Sequence, residues 1–200
     1  MRPAQETTQV EAFLVSTAIV AIAEIGDKTQ LLALLLAAKF RRPLPIILGI
    51  FVATIANHAG AAAVGALVAG WVGPDLMRWI LGGSFIAMGL WMLVPDSVDD
   101  DEDTAARSHF GVFGTTVIAF FLLEMGDKTQ VATVALAARY LDLVVVAMGT
   151  TLGMMIANVP AVLLGEVAAR KLPLKLVHGV SAAIFILLGL VTLADILPSF

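Results

Sequence analysis

The stretch Glu24-Ile25-Gly26-Asp27-Lys28-Thr29-Gln30 returns one hundred residues later as Glu124-Met125-Gly126-Asp127-Lys128-Thr129-Gln130. Each copy lies inside an apolar run long enough to cross a bilayer. Six ionisable side chains therefore stand where charge is most expensive: a carboxylate or ammonium at the centre of a membrane helix costs about 2.5–3.5 kcal/mol on insertion scales. Groups kept at that cost have a partner, a watery cavity and a function, so the chain marks its own site.

Composition fixes the class. The 200 residues are 60% hydrophobic and only 14% charged, with a mean hydropathy of +0.96, whereas a soluble domain carries about 25% charged residues. There is no cysteine, which excludes disulfides, thiolate metal sites and c-type haem attachment. The net charge of −4 says little about partners, because six acids fall in one run, Asp96, Asp99, Asp100, Asp101, Glu102 and Asp103. No basic patch points to nucleic acid. The first apolar run is too long for a signal peptide and carries Glu24 and Asp27 in its middle, so it reads as a retained span.

A spanning helix needs about 20 mostly apolar residues. Six segments qualify: Val10 to Ala38, Leu44 to Val72, Leu76 to Val94, Phe110 to Ala138, Leu141 to Ala168 and Leu176 to Leu197. The expected fold is an all-α integral membrane protein of six transmembrane helices. Gly149 and Gly153 stand at GxxxG spacing, which reads as close helix packing. The repeat extends beyond the signature, since Leu36 to Phe40 matches Leu136 to Tyr140, and Gly49, Gly65, Phe85 and Gly89 match Gly149, Gly165, Phe185 and Gly189. The domains are then a first three-helix repeat over 1–95, an acidic linker over 96–109 and a second repeat over 110–200. An odd number of spans per unit makes the second copy enter from the opposite side, the inverted-topology repeat of secondary transporters. Asn57 has a counterpart in Asn158 displaced by one residue, which implies a local slip of the match.

Lys39, Arg41, Arg42, Arg107, Arg170, Lys171 and Lys175 lie in the first, third and fifth loops, against Arg2, Arg78 and Arg139 on the other side. The positive-inside rule makes the odd loops cytoplasmic and puts both termini outside.

On a continuous helix, Glu24 and Asp27 share a face that Gln30 continues, Lys28 sits one turn beyond Glu24, and Thr29 points elsewhere. Packed about a pseudo-twofold axis, Glu24, Asp27, Glu124 and Asp127 converge near the midplane with Gln30 and Gln130 beside them. This is an all-oxygen cage suited to calcium, magnesium or manganese(II), whereas zinc and copper want Cys or several His. Lys28 and Lys128 balance part of the charge, leaving about −2, which a divalent ion or protons neutralise. Gly26 and Gly126 inside the motifs admit either a local break or close helix packing. Asn57 and Asn158 supply carbonyl ligands or bond between helices. His58 reads as an interhelical donor, His109 and His178 as interfacial, and Glu166 as solvated near a membrane face. The acidic run is no EF-hand: counted from Asp96, Asp101 falls where Gly is required and Arg107 where Glu is required. It reads as a solvated linker.

With these motifs in view, the chain resembles the GDT family of membrane cation exchangers, which includes bacterial manganese exporters and Golgi manganese and calcium transporters of eukaryotes. The family signature, Glu-x-Gly-Asp-Lys/Arg-Thr/Ser occurring twice in opposed three-helix halves, stands at Glu24 to Thr29 and Glu124 to Thr129. The resemblance covers nearly the whole chain. It implies cation/proton exchange with these acids as carriers, manganese as the first substrate expected and calcium as the second, in a bacterial inner membrane. The expected partners are a divalent ion, protons and the bilayer, with no nucleic acid and no resident cofactor, the cation being substrate. Two other classes compete: an intramembrane enzyme of the lipid-pyrophosphate phosphatase type and a small-solute exporter. The enzyme would need Arg or Ser at membrane depth to hold phosphate, and here every Arg reads as lying in a loop or terminus, Arg78 at the very start of its span. The solute exporter would need fewer core acids.

Overall fold

A computed structural model describes residues 2–94, 111–164 and 174–194. It is helical throughout: α1 (Arg2–Glu24), α2 (Lys28–Phe40), α3 (Pro43–Ala69), α4 (Pro74–Trp91), α5 (Gly111–Glu124), α6 (Lys128–Tyr140), α7 (Leu143–Leu164) and α8 (Leu174–Leu193). The linker 96–109 with Arg107 and His109, the residues Gly165, Glu166, Arg170 and Lys171, and the side chains of Lys175 and His178 lie outside the described residues.

The expected continuous helices 10–38 and 110–138 are each two helices. Gly26 and Gly126 take positive φ, +83° and +77°, a conformation glycine adopts without steric cost. Asp27 and Asp127 then stand extended at the N-caps of α2 and α6. The same turn closes both breaks, with Asp27 N–H donating to the Glu24 carbonyl and Asp127 N–H to the Glu124 carbonyl, each at 3.1 Å. Across the first break the chain bends by 70° between Thr8–Glu24 and Lys28–Phe40. Both second pieces end alike. Arg41 and Leu141 enter the left-handed region (φ 52° and 54°) and donate their N–H groups to Ala37 and Ala137. Proline at the first turn starts α3 and α4, where its missing N–H costs nothing.

Among the described residues, α3 and α7 are long and apolar enough to cross a membrane singly, and the bent α1–α2 pair passes the same test when its two pieces are taken together. Leu76–Trp91, Gly111–Glu124 and Gly179–Leu193 are shorter apolar helices.

Packing repeats across the halves. A Cβ on Gly149 would fall 2.7 Å from the Phe13 carbonyl, and one on Gly153 would fall 2.5 Å from that of Thr17, so α1 lies backbone to backbone on α7. The GxxxG pair is a packing motif, as expected. The counterpart is α3 on α5, where a Cβ on Gly49 would stand 3.0 Å from the Phe113 carbonyl. Residue numbers rise together along α1 and α7, so these helices run parallel. They run opposite along α4 and α8, where Gly82 meets Leu193 and Gly89 meets Ala182 and Ile186. Phe85 and Phe185 meet edge-to-face between those helices, centroids 6.1 Å apart.

Polarity is inside out relative to a soluble domain. Ser16, Thr54, Thr116, Thr150, Asn158 and the motif carboxylates are buried, while Leu67, Trp71, Val144 and Leu187 face outward. Such a surface suits lipid, where burial from water offers no gain between helices and interior polar groups bond to one another.

Candidate metal centre

The two breaks deliver the motif side chains to one place between the halves. Glu24 ends α1 and Glu124 ends α5, while Asp27 and Asp127 open α2 and α6; all four carboxylates are 2% exposed or less. A carboxylate is favoured at a helix N-terminus and disfavoured at a C-terminus, where the peptide dipoles present partial negative charge. The Asp residues thus sit well, and the two Glu residues sit where a cation gives most relief.

Ion pairs cross between the halves. Lys128 Nζ stands 2.8 Å from Asp27 Oδ1, and Lys28 Nζ stands 3.2 Å from Asp127 Oδ1. The two pairs are unequally covered, the Lys28 side chain being 22% exposed and that of Lys128 5%. Glu24, Glu124 and Asp127 each bring one carboxylate oxygen into a group lying within 4.8 Å of one another. Opposed oxygens around an ion with bonds of about 2.2–2.4 Å are about 4.4–4.8 Å apart, so the three can close on one divalent cation. Asp27 is not in that group; it faces Lys128. Glu24 Oε1 and Glu124 Oε2 are buried without a hydrogen-bond partner, which leaves oxygen lone pairs to offer.

Three neighbours, Thr29, Thr129 and His58, were not legible as such. Thr29 donates to Glu24 Oε2 and Thr129 to Glu124 Oε1 in short hydrogen bonds; they point into the site because the helix is broken, and face reckoning on a continuous helix fails across a break. His58 Nε2 stands 3.3 Å from Glu124 Oε1, and Asn158 Nδ2 stands 3.5 Å from Glu24 Oε2. His58 and Asn158 are therefore counterparts at the common offset of one hundred, and the expected local slip is absent. The constant offset was the signal that could have paired them.

The remaining expected site residues serve the breaks. Gln30 accepts from Gly26 N–H at 2.9 Å and donates to the Ala157 carbonyl at 2.9 Å, and Gln130 accepts from Gly126 N–H at 2.7 Å. The spacing Asp-x-x-Gln is close to a capping box, in which the third helical residue reaches back to the N–H groups before the helix. That pattern marked a helix start inside each motif. Asn57 donates to the Phe121 carbonyl at 3.0 Å, one of the carbonyls left at the end of α5. Ser181 does the same for Ile22 at the end of α1, at 3.1 Å.

A buried group of acids, cross-paired with lysines and fed by four helix ends, can bind a divalent cation and can exchange it for protons. Comparison with known proteins agrees. The family described as "Divalent cation/proton antiporter GDT1" matches residues 12–100 and again 112–199. A Vibrio cholerae protein named "Putative manganese exporter" is 50% identical over 191 residues, covering 95% of this chain and 93% of that protein. "GDT1-like protein 5" of Arabidopsis thaliana is 26% identical over 225 residues, covering 92% and 96%, and "GDT1-like protein 3" of Oryza sativa is 25% identical over 201 residues, covering 88% and 71%. No solved structure matches the chain.

Proposed function

The chain belongs to the GDT1 family of divalent cation/proton antiporters, and from that premise we propose that it exports manganese(II) in exchange for protons through the carboxylates gathered between its halves. It is a membrane transporter and not an enzyme. The observation that carries the reading is the approach of Glu24, Glu124 and Asp127 to within 4.8 Å, contributed by both halves and pinned by the crossed lysines. Asp27, Gln30, Gln130, Asn57 and Asn158 complete the proposed site as flanking oxygen donors, with Lys28 and Lys128 balancing charge.

The proposed architecture is six spans in two inverted halves, 1–95 and 110–200, joined by the acidic linker. The parallel run of α1 with α7 supports it. A first span lying parallel to the second span of the other half requires that half to be upside down. The antiparallel run of α4 and α8 supports the same arrangement. Odd loops are cytoplasmic and both termini outside, in keeping with the cation bias.

Exchange, not passive conduction, suits export. In a cell negative inside, moving a divalent cation outward opposes about 4.6 kcal/mol per 100 mV, twice the single-charge figure. Protons entering through the same carboxylates supply that work: each carboxylate holds either a share of the ion or a proton, so loading one releases the other. Manganese ranks before calcium because the half-identical Vibrio relative is named for manganese export.

Purified protein in liposomes carrying a pH dye tests the reading. Manganese movement should acidify the compartment that loses metal. Glu24→Gln, Asp27→Asn, Glu124→Gln and Asp127→Asn should each abolish or severely reduce exchange while the protein remains inserted. Full activity in any two of the four sinks the shared cage.

A further inference from the structure

The two halves present different atoms to the same site. Where α7 offers the Asn158 amide to Glu24, the equivalent position of α3 offers the His58 imidazole to Glu124. His58 is fully buried, its Nδ1 has no hydrogen-bond partner, and Nε2 stands 3.3 Å from Glu124 Oε1. Neighbouring ligands about 2.2 Å from an octahedral ion lie about 3.1 Å from one another. The Nε2–Oε1 separation is close to that of two adjacent ligands, while the ring stands outside the group of Glu24, Glu124 and Asp127 oxygens that lie within 4.8 Å of one another, so the imidazole must shift toward that group to share their ion. A neutral ring with its proton on Nδ1 presents the Nε2 lone pair for this.

Resting on the reading above, we propose that His58 is a ligand to the transported ion beside Glu124, and that its nitrogen biases the site toward first-row transition ions over calcium and magnesium. Calcium and magnesium take oxygen ligands almost without exception; manganese(II) also favours oxygen but, as a first-row transition ion, accepts an imidazole nitrogen more readily than they do. The lysine ammonium groups cannot serve, since they hold no lone pair. At the equivalent position Asn158 turns its amide nitrogen to Glu24 and leaves Oδ1 unpartnered; an amide nitrogen is no ligand, so oxygen is the only donor atom that position can offer an ion. His58→Asn makes the two halves alike and the donor set all oxygen.

Two measurements test this. Pulsed electron paramagnetic resonance of manganese(II) bound to the wild-type protein in nanodiscs should show nitrogen modulation of the imidazole type, and His58→Asn should lose it. In liposomes, the ratio of initial manganese to calcium transport should fall about tenfold in His58→Asn, the effect of about one decade in relative affinity. A residue that only steadies Glu124 would lower both ions alike and leave the ratio unchanged. An all-oxygen spectrum in the wild type, or an unchanged ratio in the variant, overturns the inference. The spectrum needs no variant, so it decides even if His58→Asn fails to fold. A wild-type protein that moves no manganese refutes the export reading instead, which keeps the two failures apart.

Discussion

Replacing Lys128 with methionine should destabilise the protein far more than the same change at Lys28, although the two lysines occupy equivalent positions. At 2.8 Å the Lys128–Asp27 pair is worth about 6 kcal/mol of direct attraction at an effective dielectric of 20, and at 3.2 Å the Lys28–Asp127 pair about 5 kcal/mol. Attraction alone hardly separates them. The carboxylates do not separate them either, Asp27 being 2% exposed and Asp127 1%, but the lysines do: Lys128 is 5% exposed and Lys28 22%, so water screens the Lys28–Asp127 pair and can fill the space left beside Asp127, while it hardly reaches the Lys128–Asp27 pair. Removing one partner of a buried pair costs about 3–5 kcal/mol, and for a chain of this size each kcal/mol lowers the melting temperature by about 2–4 °C. Lys128→Met should melt about 6–20 °C below wild type in detergent, and Lys28→Met should lose less than half as much. Adding Asp27→Asn to Lys128→Met removes the stranded charge and should recover most of the loss in stability without recovering transport. Equal melting of the two single variants, or no recovery in the double, would refute the assignment of the crossed pairs and of their unequal burial.

Other outcomes follow from the same geometry. Lowering pH on the metal-loading side should raise the apparent KM for manganese, because protonated carboxylates lose charge and ligand capacity; transport indifferent to pH on both faces, with no proton counterflow, removes exchange as the mechanism. Gly126→Ala should lose about 1–2 kcal/mol of stability through backbone strain alone, since its φ is +77° and the new Cβ meets nothing within 4 Å; circular dichroism melts check it, and a neutral result would argue against the left-handed turn. Gly153→Ala should cost about 1–3 kcal/mol by overpacking, its Cβ standing 2.5 Å from the Thr17 carbonyl, as a thermal shift assay would read. Gly73→Cys should label from outside intact cells and Ser97→Cys only after permeabilisation, and the reverse pattern would invert the topology.

The duplicated motif, its acids and lysines, and the Gly149 and Gly153 contact were legible because each rests on residue type and spacing alone. What escaped is what depends on backbone path. Glu24, Asp27, Lys28 and Thr29 were placed around an unbroken helix, yet Gly26 turns the chain left-handed, and this swings Thr29 from an unrelated face onto Glu24. Gln30, grouped with the acids by the same reckoning, holds the turn through Gly26 N–H, a role the spacing did not show. His58 was read as an interhelical donor, and chemical likeness paired Asn158 with Asn57. Position, not likeness, is what a repeated backbone preserves. Which lysine pairs with which aspartate was beyond any pattern, since side chains two turns of chemistry alike choose partners only once the halves are docked.

The turns at Gly26 and Gly126 occur at the same point of each half, and the contacts of Gly149 with Phe13 and of Gly49 with Phe113 repeat from one side of the molecule to the other. Such a scaffold has no arrow. With the halves opposed as proposed above, the route from either face to the acids is one route traversed in two senses, and microscopic reversibility then leaves the direction of net flow to the two electrochemical gradients. Export is on this view a property of the cell and not of the fold: vesicles given an inverted proton gradient should load manganese through the same residues. Places where the halves differ, among them His58 against Asn158 and the buried Lys128 against the wetter Lys28, can make the two senses unequal in speed, and no difference of speed can move the point at which the gradients balance.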